Sequence, residues 1–524
     1  MSTSLTPLLS SLLQPEAYPH PVSTVRLVET HVSWVFLTGA FAYKIKRPVH
    51  YPFLDLRSRE RRAFFCAEEL RLNRRFAPEL YLELCSVTLD GGVARISGHG
   101  EVIDHAVRMR QFRADVELDR LLAAGAVAPA ELEAFGRELA SLHERLPAAG
   151  VDEGWGQPQR LRAQLLENLA ECQRAAERAG AADPKALLGA ALGARLDAAE
   201  PWMASRRGAG RIRECHGDLH ARNVVRCGER LLAFDCIEFE PAFRWIDVAA
   251  DIAFLFMDLD VRRCPEHGQA FLNGYLSQGG DYEACRLLRL YATDRALVRA
   301  KVSALQATSS ATDPAEGGDG ALALTEHRSY IECAQRMLTP GAPLLILTCG
   351  VSGSGKTWLA QRLAARLRAV HVRSDIERGR IGAPAREQRS DAAPGEGSYS
   401  REASRQVYER LRHCAADVLA GGYPVIVDAT FHRREDRARL RTLALQCGAA
   451  IRVVRCHAPQ EVLQRRIVAR RGSGADASEA DLAVLEWQLT RFEAIRVEEG
   501  LPVIDADTTS ADVVPEVLRR LTIS

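Results

Sequence analysis

The stretch CGVSGSGKTW, Cys349 to Trp358, decides the fold of the second half of the chain. An apolar run, PLLILTC, leads into it, and a segment with helical periodicity, WLAQRLAARLRA, follows it. Glycines at this spacing let backbone N–H groups turn inward around phosphate oxygens, and the helix that follows directs its positive end at the same anion. The stretch therefore predicts a phosphate-binding loop between a strand and a helix.

The loop fits the pattern GxxxxGK[ST], and its chemistry assigns a role to each part. The ammonium of Lys356 would neutralise the phosphates of ATP, and the hydroxyl of Thr357 would bind Mg²⁺. A glycine turn without a ligand is the alternative, which the flanking strand and helix disfavour. The residues predicted to contact the nucleotide are Gly350, Val351, Ser352, Gly353, Ser354, Gly355, Lys356 and Thr357.

Apolar runs alternate with charged, periodic segments after the loop, and these runs are VHVRSD, YPVIVDAT and AIRVVRCHA. This alternation predicts a parallel sheet covered by helices. Asp428 ends the apolar part of the second run and is predicted to bind Mg²⁺, with a strand-end cap as the alternative. Asp375 ends the first run, with Arg378 one helical turn further on, so both could face the mouth of the sheet where ligands bind. A helix cap or a surface ion pair is the alternative for these two residues.

A different stretch, HGDLHARNVV at His216 to Val225, lies far upstream and is followed by LLAFD. Phosphoryl transfer needs a carboxylate at the nucleophile and separate oxygen ligands on a metal ion. A loop that holds Asp218 five residues before Asn223 offers both. His216 and His220 are better explained as hydrogen-bonding braces of this loop than as metal ligands, because no third ligand stands at a suitable spacing.

Length and composition are those of an ordinary globular protein, expected in the cytoplasm. The 524 residues exceed what one hydrophobic core usually organises, so two or three domains are expected. The 69 basic and 68 acidic side chains give no electrostatic argument for a nucleic-acid or membrane partner. The sequence has no apolar run long enough to span a membrane and no leader-like segment, and its 13 scattered cysteines suggest reduced thiols.

Lysine is rare in this chain because arginine fills nearly every basic position. A compact ammonium on a flexible stem cannot be replaced by a planar guanidinium where it must fit between phosphate oxygens, so each remaining lysine is informative. Two of them would project to the same side of a strand in the run FAYKIKRPV, so strand alternation does not choose between them. The lysines are Lys44, Lys46, Lys185, Lys301 and Lys356.

Changes in composition divide the chain into two predicted domains, 1–338 and 343–524. Short β-rich runs up to about residue 56 predict antiparallel strands. The polar segment 308–321 is typical of a loop, and TPGAP at 339–343 is typical of a linker. Helical periodicity is predicted for 57–76, for most of 115–207, and from the HGD loop to about 310.

The HGDLHARN loop with the following AFDCIEF resembles the aminoglycoside phosphotransferase family of protein-kinase-like folds, in which HGDxHxxN is the catalytic loop. The resemblance implies that Asp218 orients or deprotonates the acceptor hydroxyl, that Asn223 binds Mg²⁺ and that Asp235 bridges Mg²⁺ to the phosphates. It also implies that Asp247 and Asp251 brace the loop. One departure from the kinase pattern is that no GxGxxG lies between the first strands.

A kinase-like small lobe supplies a strand lysine and a helix glutamate that pair with each other. Lys44 and Lys46 are the candidates for the lysine, and Glu68 and Glu69 are the candidates for the glutamate. The likeness of AYKIKRPV to the family's lysine strand favours Lys44, with Glu69 as its partner. A basic edge strand that guards against aggregation is the alternative.

The second domain resembles the P-loop kinase group that includes zeta-toxin-like and polynucleotide-kinase-like proteins, and SDIER and VIVDAT carry the likeness beyond the loop. This resemblance implies phosphoryl transfer to a hydroxyl, with Asp375 as the candidate base. The segment LQRRIVARRGSGADASEADLAVLEWQ resembles a mobile lid whose arginines, among them Arg466 and Arg470, close over the phosphates. A solvated helix face is the alternative for these arginines.

The tandem order resembles bacterial bifunctional aminoglycoside phosphotransferase/ATP-binding proteins. The predicted fold is an α+β protein-kinase-like two-lobed domain followed by an α/β P-loop NTPase domain with a parallel sheet. The predicted function is an ATP- and Mg²⁺-dependent kinase that acts on a small-molecule hydroxyl of the sugar or amino sugar class. The alternatives are an ATP-responsive regulatory protein and a P-loop domain acting on nucleic-acid 5′-hydroxyls. No nucleic-acid or membrane partner is expected, and the sequence does not predict an oligomeric state.

Overall fold

The structure is a computed structural model that describes residues 5–51, 54–150, 152–310, 319–381, 401–473 and 482–522. Within these ranges the helices are α1 (Leu5–Leu12), α2 (Arg59–Asn73), α3 (Leu118–Ala123), α4 (Pro129–Arg145), α5 (Pro158–Arg178), α6 (Pro184–Gly208), α7 (Pro241–Arg244), α8 (Val248–Val261), α9 (Pro265–Gly279), α10 (Cys285–Ser310), α11 (Asp319–Leu338), α12 (Lys356–Leu367), α13 (Ser374–Ile381), α14 (Arg401–Ala420), α15 (Arg434–Gln446), α16 (Gln460–Ser473), α17 (Leu482–Arg491) and α18 (Val513–Thr522). The strands in the same ranges are β1 (Arg26–Glu29), β2 (Ser33–Leu37), β3 (Phe41–Lys46), β4 (His50–Tyr51), β5 (Leu54–Asp55), β6 (Tyr81–Asp90), β7 (Val93–Ile96), β8 (Glu101–Arg110), β9 (Ile212–Glu214), β10 (Val224–Cys227), β11 (Arg230–Ala233), β12 (Trp245–Asp247), β13 (Leu344–Cys349), β14 (Val370–Arg373), β15 (Val425–Asp428), β16 (Ala450–His457) and β17 (Val503–Asp507). None of these helices is both long enough and apolar enough to cross a membrane.

The chain divides into two compact units. Unit 1 comprises Met1–Glu131, Leu142–Gln157 and Ala204–Leu255. Unit 2 comprises Leu132–Ser141, Pro158–Met203 and Phe256–Ser524. Segments that precede residue 339 contribute to both units, and the predicted division into 1–338 and 343–524 stays a proposal.

Unit 1 is built on a six-stranded antiparallel sheet in the order β1-β2-β3-β8-β6-β7. Alternate residues of β2 and β3 are buried in its core, with Trp34 and Phe36 in one cluster with Tyr43 and Ile45, as the pleat requires. The antiparallel strands predicted before residue 56 are confirmed. The strands β6, β7 and β8, which complete the sheet, are not predicted from the sequence.

Helix α2 packs against this sheet and brings a carboxylate to it. The hydroxyl of Ser58 caps the helix by accepting a hydrogen bond from the backbone N–H of Arg61. Phe65 and Leu72 are buried on its inner side, and Glu69 is 0% exposed. Because a buried carboxylate is costly unless it is paired, Glu69 marks the place where cationic groups must approach.

The HGD loop lies between β9 and β10, and the hairpin of β10 and β11 follows it. Val224 is paired with Ala233 across this hairpin, and the backbone N–H of Phe234 donates to the carbonyl of Asn223 at 2.9 Å. The hairpin therefore returns the chain to the loop and places Asp235 close to Asn223.

Unit 2 contains a five-stranded sheet in the order β14-β15-β13-β16-β17, in which all strands are parallel. The phosphate loop follows the central strand β13, whose Leu345, Ile346 and Leu347 are 0% exposed. Thr348 at the end of β13 is in register with Asp428 at the end of β15, so both lie at the carboxyl edge where α/β sheets bind ligands. The predicted parallel α/β fold is confirmed, and the edge strand β17 is an addition to it.

Candidate active sites

Two lysines and three carboxylates form a cluster in unit 1 that is buried except at the carboxylate of Asp235. Lys44 Nζ lies 2.8 Å from Glu69 Oε1 and 2.6 Å from Asp235 Oδ1. Lys46 Nζ lies 2.6 Å from Glu69 Oε2 and also contacts Glu238. Both lysines point to the same side of β3, as alternation requires, and one glutamate serves both.

Charge interactions outweigh desolvation at Lys44, Lys46 and Glu69, whereas burial is the larger effect at Glu238 and raises the pKa of that carboxylate. Burial would lower the pKa of Lys44, but Asp235 and Glu69 hold it well above its ordinary value. Burial likewise opposes the charge on Lys46, whose pKa Glu238 and Glu69 raise. Burial would raise the pKa of Glu69, but the two ammonium groups lower it to about 2. Glu69 is therefore ionised at neutral pH and fixes both lysines.

The HGD loop brings Asp218 and Asn223 into direct contact. Asn223 Nδ2 donates to Asp218 Oδ2 and to the backbone carbonyl of Asp218, each at 3.0 Å. Because the amide nitrogen is used in this way, the amide oxygen of Asn223 is the atom that can bind a metal ion. The carboxylate of Asp218 is 36% exposed and lies 3.4 Å from His220 Nε2, so a substrate hydroxyl can reach it.

Asp251 braces the loop from behind. Its carboxylate accepts from the backbone N–H groups of His216 at 3.2 Å and Gly217 at 2.8 Å, and His143 Nε2 lies 3.2 Å away. Gly217 has a φ of 86°, and a Cβ there would lie 2.6 Å from the carbonyl oxygen of Phe243, so the loop requires glycine. The bracing role predicted for Asp251 is confirmed.

The thiol of Cys215 completes a group with His143 and Asp251 whose ligand atoms lie within 4.8 Å of one another. Burial raises the pKa of Cys215 well above its ordinary value, so the thiol stays protonated, and it contacts the carbonyl of Ile246. Since Asp251 is already committed to two backbone N–H groups, we interpret this group as a structural brace rather than a metal site.

Asp235 adopts an unusual backbone conformation. Its φ is 64°, in the left-handed region that residues other than glycine rarely adopt. Its backbone N–H donates to the hydroxyl of Tyr81 at 3.2 Å, and its side chain is 44% exposed although it contacts Lys44. A left-handed residue of this kind costs about 1–3 kcal/mol, and such strain is concentrated at functional sites.

In unit 2 the phosphate loop faces a cavity of about 220 Å³. Thr357 Oγ1 donates to Asp428 Oδ2 at 2.7 Å, and Thr348 Oγ1 donates to Asp428 Oδ1 at 2.8 Å. His371 Nε2 lies 3.3 Å from the same carboxylate. Lys356 Nζ donates to the carbonyl of Val351 at 2.9 Å across the loop. The hydroxyl and carboxylate predicted to bind Mg²⁺ are thus neighbours.

The shape of the loop and its donor set fit Mg²⁺ and a nucleotide. Gly353 has a φ of 79°, and a Cβ there would lie 2.7 Å from the carbonyl oxygen of Leu463. The buried hydroxyl of Ser354 has no hydrogen-bond partner among the residues that the structure describes. Burial would raise the pKa of Asp428, but His371 and Lys356 lower it, so its carboxylate is charged and suited to a hard cation.

Asp375 lines the same cavity, together with Arg373 and Arg378. Burial and then the charge of Asp428 raise the pKa of Asp375, although Lys356 acts in the opposite direction. A carboxylate with a raised pKa is a better proton acceptor than an ordinary aspartate, which suits a general base.

Comparison with known proteins gives two separate matches along the chain. The sequence profile of the Phosphotransferase enzyme family matches residues 58–288, and that of an AAA domain matches residues 345–495. Uncharacterized proteins from Mycobacterium tuberculosis and Mycobacterium bovis are each 30% identical over 469 residues, covering 89% of this chain and 91% of the relative. The chain belongs to the bifunctional aminoglycoside phosphotransferase/ATP-binding family. It is therefore a phosphotransferase.

Solved structures similar to this bifunctional phosphotransferase include two kinases. One is a choline/ethanolamine kinase family protein from Mesorhizobium loti, with 13% identity and a TM-score of 0.32, covering 64% of this chain and 99% of that chain. The other is a gluconokinase from Sinorhizobium meliloti, with 22% identity and a TM-score of 0.25, covering 35% of this chain and 93% of that chain.

Some predicted site residues of the bifunctional phosphotransferase lie within the family match, and others are supported only by their contacts in the structure. Asp218, Asn223 and Asp235 lie inside the region that matches the phosphotransferase profile, whereas Lys44 precedes it. The role of Lys44 therefore rests on its contacts. The side chain of Arg470 lies outside the described side chains, so its part in a lid stays a prediction.

Residues distant in the sequence form hydrogen bonds with the backbone of the phosphate loop. Arg466 donates to the carbonyl of Gly353 at 3.2 Å and to the carbonyl of Thr508 at 3.0 Å. Thr508 Oγ1 in turn donates to the carbonyl of Ser354 at 2.9 Å. Arg466 thus contacts the loop backbone and also lines the cavity, which a solvated helix face would not do, and its closure over the phosphates stays a prediction.

A second support comes from α17, where Gln488 Oε1 accepts from the backbone N–H of Ser352 at 2.7 Å. Gln488 ends the segment that resembles a lid, and Thr508 stands in no recognisable motif, so no signal in the sequence indicates a contact of either residue with the phosphate loop. Glu238 had a weak signal, because it is an acid flanked by the apolar residues Ile237 and Phe239.

His432 lines the cavity of unit 2, and its protonation should make the folding stability of the bifunctional phosphotransferase depend on pH in the acid range. Its Nδ1 lies 3.2 Å from Thr430 Oγ1, and burial, followed by the charge of Arg433, lowers its pKa from 6.5 to about 4. Between these two pH values the unfolded chain binds a proton at His432 that the folded chain does not, so folding stability is lost as pH falls from 6.5 to 4.

We expect His432→Asn to remove this contribution. The free energy of unfolding of the wild type, measured by urea titration, should fall more steeply between pH 6.5 and 4 than that of the variant, by up to about 3 kcal/mol. The exposed His413 supplies the control, since His413→Asn should retain the wild-type slope. Equal slopes for His432→Asn and the wild type would show that His432 titrates normally in the folded protein.

Proposed function

We propose that unit 1 transfers the γ-phosphoryl group of ATP to the hydroxyl of a small molecule, of the sugar or amino sugar class. One observation carries this proposal: Lys44 Nζ lies 2.8 Å from Glu69 and 2.6 Å from Asp235, which come from three separate segments of the sequence. A strand lysine paired with a helix glutamate and placed beside a metal-binding aspartate is how kinases hold the phosphates of ATP.

The residues of unit 1 divide the work of the transfer. Asp218 would orient the acceptor hydroxyl and take up its proton at the exposed carboxylate. The amide oxygen of Asn223 and the carboxylate of Asp235 would hold Mg²⁺, which supplies positive charge to the phosphate oxygens when it is bound. Lys44 would contact the phosphates, and Glu69 would keep its ammonium in place.

We further propose that unit 2 is a second ATP site. Lys356 would contact the phosphates, Thr357 and Asp428 would hold Mg²⁺, and Asp375 would serve as the base. Because Arg373 and Arg378 line the cavity beside Asp375, an acceptor with a negative group close to its hydroxyl suits this site. The arginines thus favour the candidate in which unit 2 phosphorylates a nucleic-acid 5′-hydroxyl over one in which it phosphorylates a cationic amino sugar.

Phosphoryl transfer can be tested directly with the intact chain. The chain is incubated with ATP, Mg²⁺ and a panel of sugars, amino sugars and short 5′-hydroxyl oligonucleotides, and phosphate esters are detected by ³¹P NMR and mass spectrometry. We expect at least one sugar or amino sugar to form an ester, and its analogue lacking the accepting hydroxyl to form none. Nucleotide binding without any ester would instead support the ATP-responsive regulatory protein.

A further inference from the structure

Unit 2 contains a second cavity, of about 350 Å³, that shares no lining residue with the cavity at the phosphate loop. Part of its wall consists of residues that stand one or two positions before parallel strands, such as Ala342, Arg368 and Pro424. It therefore lies at the amino-terminal edge of the sheet, whereas the nucleotide cavity lies at the carboxyl edge. The rest of its wall comes from α8, α9, α10 and α11, from Leu367 at the end of α12, and from the loops that lead into β13 and β15.

Positive charge exceeds negative charge in the wall of this cavity. Its charged residues are the three guanidinium groups of Arg289, Arg336 and Arg368 and the single carboxylate of Asp260. Asp260 lies 2.6 Å from Arg336 and 3.2 Å from Arg368. Arg289 has no carboxylate partner within the described part of the chain. A negatively charged ligand would balance this excess.

Two buried donors in this wall lack acceptors. Arg289 donates to the carbonyl of Gly422 at 2.9 Å and lies over the ring of Tyr423 at 4.4 Å, but its buried Nε–H has no partner within the described ranges. The hydroxyl of Tyr423, a residue 4% exposed, also lacks a partner there. An unpaired buried donor costs about 1–3 kcal/mol and is rare in native proteins, so the protein itself does not satisfy all the polar atoms of this wall.

Apolar side chains complete the wall, namely Phe256, Met337, Leu367 and Pro424. A ligand that pairs with the guanidinium groups would leave these surfaces in water unless it also carried an apolar part. The volume falls at the lower end of the range for small-molecule sites. The ligand should therefore combine one anionic group with a body about the size of an aromatic ring.

We propose that this cavity is a ligand site, separate from both nucleotide sites, that binds a small organic anion, either a phosphate or a carboxylate attached to an apolar ring. The proposal is independent of the phosphoryl-transfer reaction. Arg289 and Arg368 would hold the anionic group, and Phe256 and Met337 would contact the ring.

Isothermal titration calorimetry on the full chain tests this proposal, with phenyl phosphate and benzoate as probes. We expect one site per chain for at least one probe, and the stronger binder identifies the anionic group. Arg289→Met and Arg368→Gln should each weaken binding about tenfold or more. Two variants should leave binding unchanged: Arg366→Gln, an exposed arginine outside the cavity that serves as the matched control, and Lys356→Ala, which alters only the phosphate loop.

Other results would overturn the proposal. The proposal fails if neither probe binds at millimolar concentration. It also fails if Lys356→Ala abolishes probe binding while Arg289→Met and Arg368→Gln retain it. Inorganic phosphate that binds as tightly as phenyl phosphate would contradict the apolar half of the site. Arg368 is 58% exposed, so Arg368→Gln decides the question if circular dichroism shows that Arg289→Met does not fold.

Discussion

In the Asp218→Asn variant, acceptor-dependent phosphoryl transfer by unit 1 should fall by about 10³-fold in kcat, because general base catalysis contributes about 10²- to 10⁴-fold and an amide cannot take up the proton. The loop itself should keep its shape, since an amide oxygen at this position can still accept from Asn223 Nδ2, which now donates to Asp218 at 3.0 Å. The KM for ATP should stay within a few-fold of the wild-type value, because Lys44, Glu69 and Asp235 are untouched. Steady-state kinetics with the acceptor found for the intact chain provide both constants.

Two controls separate this effect from a general loss of function. Asp115 is an exposed aspartate of unit 1 outside the site, and Asp115→Asn should match the wild type in kcat. Lys356→Ala should also keep acceptor-dependent turnover if unit 1 is the site of transfer. An Asp218→Asn variant with wild-type kcat would place the reaction elsewhere, and loss of turnover in Lys356→Ala alone would assign it to unit 2.

Local sequence patterns identified the two loops at the candidate sites, but not the strands and side chains that contact these loops. The phosphate loop and the HGD loop depend on residues close together in the chain, and the flanking apolar runs have a period that identifies strands and helices. The strands β6 to β8 escaped prediction although TLDGGVAR contains a turn signal. Their register depends on pairing with other strands, β8 with β3, β6 with β8 and β7 with β6. Glu238 and Thr508 act through contacts with residues far away in the sequence, which periodicity cannot indicate.

Strand alternation does not distinguish Lys44 from Lys46 as the lysine that contacts phosphates. Alternation places both on the same side of β3, and the resemblance favoured Lys44 with Glu69. In the structure both lysines contact Glu69, but only Lys44 contacts the exposed Asp235, whereas Lys46 is 1% exposed and contacts Glu238. The difference in their surroundings, rather than in their position on the strand, makes Lys44 the better candidate for contact with phosphates.

Lys356→Ala should weaken ATP binding at unit 2 by about 10²- to 10³-fold, because removing one partner of a charged hydrogen-bonded contact costs about 2–5 kcal/mol. The ammonium of Lys356 lies across the loop, 2.9 Å from the carbonyl of Val351, and lines the cavity beside Thr357 and Asp428. Without it, the phosphates would face Asp428 with one less positive charge to balance them. Calorimetric titration with the non-hydrolysable analogue AMP-PNP and Mg²⁺ should therefore give two sites for the wild type and one for the variant.

The number of AMP-PNP binding sites in each variant shows whether the loss is confined to the phosphate loop. Lys185 is an exposed lysine outside both sites, and Lys185→Ala should retain two sites with wild-type affinities. Asp218→Asn should also retain both, because the role proposed for Asp218 is with the acceptor rather than with the nucleotide. A Lys44→Ala variant should lose the other site and keep the one at the phosphate loop, so that Lys44→Ala and Lys356→Ala together bind no nucleotide. If Lys356→Ala keeps two sites of unchanged affinity, the stretch from Gly350 to Thr357 is a glycine turn and unit 2 does not bind ATP through it.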